Sequence, residues 1–191
     1  MLATDVLAMQ LQGSCRLIAE QSHSAAPHWA ERAFAGASLP GFVVWHCGRV
    51  LDWAVNAVVR GEPEVATADR WRDRIGYHRG HGAGLTLPEA DSAATAVSPD
   101  DVVAYAGALL ACIDGWLPTI EDASLDREVD VRAACATNPL YQTPAAWAEV
   151  ENLDRRPAWQ ILAQPCAGHI RVHMGELDVL LALLTARSGG G

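Results

Sequence analysis

The sequence predicts an all-α protein, a four-helix bundle with long, partly helical connections between helices 2 and 3 and between helices 3 and 4. Three observations carry this reading. Four long stretches with apolar residues at helical spacing are bounded by serine, proline and glycine. No alternating β-branched run with hairpin turns occurs, which argues against a sheet. Near the C-terminus, His169-Ile170-Arg171-Val172-His173-Met174-Gly175-Glu176 sets polar side chains at i, i+4 and i+7, the spacing that stacks them on one helix face.

The first helix is predicted over residues 4–23, with Val6, Leu7, Leu11, Leu17 and Ile18 on an uneven apolar face and Gly13 as its weak point. It ends before Ala26-Pro27. The second opens at Ser38-Leu39-Pro40, with proline in the first turn, and closes at Arg60-Gly61-Glu62-Pro63, a glycine C-cap followed by a proline stop. The third starts at Ser98-Pro99-Asp100-Asp101, where serine caps and the acids suit the positive end of the helix dipole, and is expected to run to Asp122. The fourth is expected from Asp154-Arg155-Arg156-Pro157 to Arg187, kinked or broken at Pro165. Between helices 2 and 3, the glycine-rich segment from Arg74 to Gly84 precedes a short helical turn at Thr86–Glu89. Between helices 3 and 4, the stretch from Leu125 to Asn152 carries a short helix at Thr143–Glu149. Connections this long often cover a site rather than merely join elements. Residues 1–187 read as one domain and residues 188–191 as a flexible tail.

A chain of 191 residues is long enough to bury a proper core. Its 14 basic and 23 acidic residues give a net charge of −9, which nucleic acid phosphates repel. The most apolar uncharged run, Val102 to Ile113, falls short of the roughly 20 residues of a membrane span. The N-terminus lacks the basic flank and cleavage site of a secretory signal. Five cysteines without a Cys-x-x-Cys pair suit a reducing compartment and read as small buried hydrophobes. The expectation is a cytoplasmic protein acting on a small molecule, with neither nucleic acid nor membrane as partner.

His169 and His173 are half of a metal site, and His46, in the helical stretch from Val43 to Trp53, is the best third ligand. Three neutral imidazoles leave a zinc-like ion an open position, as in catalytic sites. A water there has its pKa lowered towards about 7 and a thiol is deprotonated, ready to attack an electrophilic carbon. Glu176 reads as a hydrogen-bond acceptor for a ligating imidazole, as a weak fourth ligand, or as an ion-pair partner of Arg49 or Arg171. Along helix 2, Phe42, His46, Arg49, Trp53 and Asn56 share a face, part of which is expected to line a pocket, with Trp53 placed in the core. His78 and His81 read as solvent-exposed loop residues, with approach to the metal or to an anionic substrate as the alternative. His23 and His28 read as surface residues.

The order of a helix, a Trp45-His46 helix, a third helix and a final one carrying His-x-x-x-His-x-Gly-Glu, then Leu177 and a leucine-rich end, resembles the DinB-like superfamily. The Ser98-Pro99-Asp100 start and Trp116-Leu117 are similar to it as well. These are metal-binding four-helix bundles, and they include mycothiol-dependent maleylpyruvate isomerases and bacillithiol transferases. The resemblance runs from about Leu7 to Leu184. It implies a divalent metal, zinc or nickel, held by His46, His169 and His173, and a homodimer. It also implies a transferase or isomerase using a low-molecular-weight thiol, for which the arginine-rich, lysine-poor composition suggests mycothiol. The alternatives are a metal-binding protein without catalytic activity and a metal-dependent hydrolase with Glu176 as base.

Overall fold

A computed structural model describes residues 2–189. The protein is all-helical: among the described residues there is no strand, only one isolated antiparallel bridge between Glu128 and Pro157. Helix α1 (Ala3–Ala25) buries Leu7, Leu11, Cys15 and Ile18 on one face. Its first free backbone N–H groups, at Ala3 and Thr4, donate to the Asp122 carboxylate at 2.9 and 3.0 Å, so its N-cap comes from a distant loop. Helix α2 (Pro40–Asp52) runs on through a π-helical stretch, Trp53–Arg60, to a left-handed Gly61. All of α2 except Phe42 is buried, which makes it the central helix. At Gly41 a Cβ would lie 2.5 Å from the Trp29 ring, so glycine lets that indole rest on α2.

The connection from α2 to the third long helix holds α3 (Asp69–Arg72) and α4 (Leu87–Ala96). Helix α4 outruns the short turn expected at Thr86–Glu89, because the Glu89 carboxylate accepts from the Thr86 N–H at 2.8 Å, a capping box that starts a real helix. Trp29 Nε1 closes the other end by donating to the Ala94 and Val97 carbonyls, both at 2.9 Å. Helix α5 (Pro99–Trp116) is capped by Ser98 Oγ, which accepts from the Asp101 N–H at 3.1 Å. It stops short of Asp122, because Pro118 ends the α ladder in a 3₁₀ turn at Leu117–Thr119. With that turn it is long and apolar enough to cross a membrane by length and composition, although no uncharged run within it is. Val102, Tyr105, Ala106, Leu109 and Ile113 are its buried face, and the helix packs along α1.

The last connection carries α6 (Val131–Cys135) and α7 (Pro144–Val150). Helix α7 begins where the sequence places it, with Thr143 Oγ1 accepting from the Ala146 N–H at 3.1 Å. Helix α8 (Ala158–Ala163) begins at the Pro157 end of the expected Asp154–Pro157 start, and the Asp154 carboxylate accepts from the Val131 N–H at 3.0 Å. The irregularity expected at Pro165 is there: the α-helical ladder of α8 stops at Ala163, although the chain stays helical. Having no N–H, Pro165 cannot close an α turn, and the chain widens into a π-helical stretch, Gln164–His169, that feeds α9 (Ile170–Ser188). Helix α9 packs on α2. The expected tail is helical at Ser188, and its last two glycines, 190 and 191, lie outside the described residues. Cys15, Cys47, Cys135 and Cys166 are buried as expected, whereas Cys112 is half-exposed and accepts from Arg60 Nη1 at 2.8 Å.

Candidate metal centre

His46 projects from the middle of α2, His169 from the end of the π-helical stretch and His173 from the first turn of α9. Their ligating nitrogens all lie within 4.8 Å of one another. His46 Nε2 and His169 Nε2 are 3.2 Å apart. Two nitrogens bound tetrahedrally to one ion at about 2.0–2.1 Å stand about 3.3 Å apart, so the pair already has the spacing of neighbouring ligands. The rings meet edge to face: His46 is 5.0 Å from His173 and His169 is 4.4 Å from His173, centroid to centroid, at 87° and 86°. The three histidines that the sequence singles out therefore converge, close enough together to hold a metal ion.

The surroundings fix which nitrogen His46 and His173 would offer an ion. His46 Nδ1–H donates to the His81 carbonyl at 2.5 Å, which leaves Nε2 as the lone-pair nitrogen. His173 Nδ1 is 3.0 Å from Glu176 Oε2, so Glu176 orients that ring and leaves its Nε2 free. Of the sequence alternatives for Glu176, the pairing with Arg49 or Arg171 is not formed. Arg49 is engaged elsewhere, and Arg171 donates to the Ala167 carbonyl. The hydrogen bond from His173 holds the Glu176 carboxyl below the usual carboxylate range. Burial, then the neighbouring His173, push His46 down to about 3 and His169 to about 4, so both are neutral near pH 7 and ready to ligate.

A cavity of about 450 Å³ opens beside the histidines. Phe42, Val50, Trp53 and Leu153 give it apolar walls, and His46, His169, His173 and His81 are its imidazoles. Phe42 stacks on His46 at 5.7 Å. Trp53 is both buried in the core and part of the cavity wall. The exposed-loop expectation holds for His78 and fails for His81, which is 3% exposed. The glycine loop folds inward because glycine allows it. At Gly82, with φ +94°, a Cβ would come within 3.1 Å of His46 Nδ1, and at Gly84 within 2.7 Å of the Ala146 backbone nitrogen. The loop is thus clamped between α2 and α7.

The sequence reading missed the polar cluster beneath this loop. Arg49, wholly buried, donates to Glu64 Oε2 at 2.7 Å, Tyr105 Oη at 2.8 Å, Tyr141 Oη at 3.2 Å and Asp52 Oδ2 at 3.3 Å. Its Nε donates to the Gly80 carbonyl at 3.1 Å, one residue before the carbonyl that orients His46. Tyr141 Oη donates to Glu64 and its ring stacks on His81 at 4.7 Å. The signal in the sequence is Arg49 and Asn56 on the stripe shared with His46, with Asp52 three residues after Arg49 in a mostly apolar helix. Asn56, on the same stripe, donates to Asp52 at 2.6 Å and belongs to this cluster rather than to the cavity.

No family model matches the chain, and no curated protein or solved structure does either.

Proposed function

We propose that this chain is a DinB-like metal protein, a four-helix bundle in its long segments, whose three-histidine centre serves a transferase or isomerase that uses a low-molecular-weight thiol of the mycothiol type. One observation carries the reading: His46, His169 and His173, from α2 and the last helical segment, bring ligating nitrogens within 4.8 Å of one another in the lining of one cavity. The donor set suits zinc or nickel, and borderline ions of this kind favour imidazole. Such an ion supplies a Lewis acid that lowers the pKa of a thiol or water at its open position.

The chain's own residues do the rest. The His81 carbonyl and Glu176 hold His46 and His173 in ligating orientation. Phe42 and Trp53 keep bulk water from the approach, and the cavity size suits a small electrophile lying beside the thiol. The hydrolase alternative needs a base. Glu176 is a poor one, since its carboxylate is engaged by His173, held below the usual range and outside the cavity lining.

The test is to load the protein with zinc or nickel and supply a thiol panel with an aromatic chloride electrophile. The expected result is metal-dependent thiol conjugation that falls at least about a hundred-fold in His46→Ala. Ester hydrolysis without any thiol would favour the hydrolase reading, and inactivity in both assays the non-catalytic one. The reading extends to a homodimer. The outward face of α5 carries Ala104, Gly107, Ala111 and Gly115, small residues that allow close helix approach. Sedimentation at micromolar concentration should give twice the chain mass, and a monomer would remove this part of the reading.

A further inference from the structure

His81 lines the cavity beside the three histidines, and the metal centre does not use its imidazole. It is 97% buried by virtue of its 3% exposure, and its Nε2 has no hydrogen-bond partner in the protein. Leaving a buried polar atom unpaired is costly, so an unpaired atom on a residue that lines the cavity marks a group whose hydrogen bonding an incoming molecule can complete. Three features fix what it offers. Its Nδ1 accepts from the Ala83 N–H at 3.4 Å, which places the ring proton on Nε2 and makes that atom a donor. Its ring is held between Tyr141, stacked at 4.7 Å and 17°, and Trp53, at 4.7 Å and 50°, so it cannot turn away. Its own carbonyl is the acceptor for His46 Nδ1–H, so the residue that orients one of the three histidines also lines the same cavity.

We propose that His81 is the ligand-recognising donor of this site, its Nε2–H hydrogen-bonding an acceptor oxygen, of a carbonyl or carboxylate, on the molecule that enters beside the three histidines. The inference rests on the metal-site reading for where that molecule binds, but not for the state of His81 itself. Val50, Trp53, Val150, Leu153 and Pro165 suit an apolar body, Glu149, Asn152 and Gln164 add polar groups to the wall, and His81 selects for an oxygen acceptor. A hydrocarbon or purely apolar thiol of equal size leaves Nε2 unpaired and binds less well.

The test uses acetohydroxamate, a metal ligand with a carbonyl oxygen, and azide, a metal ligand without oxygen. Long-range nitrogen–proton spectra of the histidine-labelled protein, with and without zinc, should show His81 as the Nε2–H tautomer, and acetohydroxamate should move its Nε2 resonance. In His81→Phe, which keeps the stacking between Trp53 and Tyr141, acetohydroxamate should bind zinc-loaded protein about ten-fold more weakly and azide within about two-fold of the parent. An Nδ1–H tautomer, an unmoved His81 resonance, or unchanged acetohydroxamate affinity in the variant overturns the proposal. If zinc leaves the His46, His169 and His173 resonances unmoved, the metal reading fails. His81 is then judged in the metal-free protein alone, by its tautomer and its response to acetohydroxamate.

Discussion

Arg49 has no exposed surface, and its guanidinium is shared among two carboxylates, two phenols and a backbone carbonyl. Burial disfavours its charge, yet Tyr105, Glu64, Tyr141 and Asp52 raise its pKa well above the ordinary arginine value, so the cation persists. Arg49→Met would strand Asp52 and Glu64 in the core. It should cost about 3–5 kcal/mol in denaturant unfolding and weaken metal binding as the Gly80–His81 backbone loosens. The histidines predict a pH dependence whose sign follows from their depressed values. His46, at about 3 folded against 6.5 unfolded, and His169, at about 4, bind more protons unfolded than folded in that interval. In metal-free protein their contribution is complete above about pH 6.5 and is lost as pH falls towards 3–4, by up to about 1.4 kcal/mol per pH unit for each group. Unfolding curves from about pH 7.5 to pH 5 should show this slope, and a flatter one in His46→Gln. The histidine cluster was legible in sequence because helix periodicity fixes His169 and His173 together. The Arg49 cluster was not, because Glu64, Tyr105 and Tyr141 reach it from three separate segments.

At the scale of elements, the helix starts were readable where a side chain near in sequence caps the backbone, as at Ser98 and Thr143. The ends and detours were not, because they answer to distant partners. Asp122 lies beyond α5 because it caps α1, and Asp154 precedes α8 because it receives the Val131 N–H. Pro165 was readable as an irregularity but not as its form. The π-helical stretch around it packs against both α1 and α2. The glycine loop gave no sign of its inward fold, since that depends on the close approach of Gly82 to His46 and of Gly84 to α7. Gly82→Ala should therefore cost about 1–3 kcal/mol through its φ of +94° and crowd His46, lowering metal affinity more than a substitution at exposed His78 does. Equal metal affinity in the two variants would show that the loop is not part of the site.

Over the whole molecule, α2 is the buried axis on which α1, α4, α5 and α9 pack, and the metal site sits where it meets the last helical segment. The core runs continuously through all four long segments, which is the basis for expecting it, rather than an ion, to hold the fold together. A chelator should therefore leave the far-ultraviolet dichroism of the protein essentially unchanged, whereas collapse of the helical signal would mean that the ion is structural. The central claim is that His46, more than a hundred residues from its partners in sequence, completes one metal site with His169 and His173. Native mass measurement with elemental analysis, on the parent and on His46→Ala, tests it most directly. The account predicts one zinc or nickel ion per chain in the parent and a sharp loss of occupancy in the folded variant. A parent that takes up no divalent metal, or a variant that holds it as tightly as the parent, would contradict it.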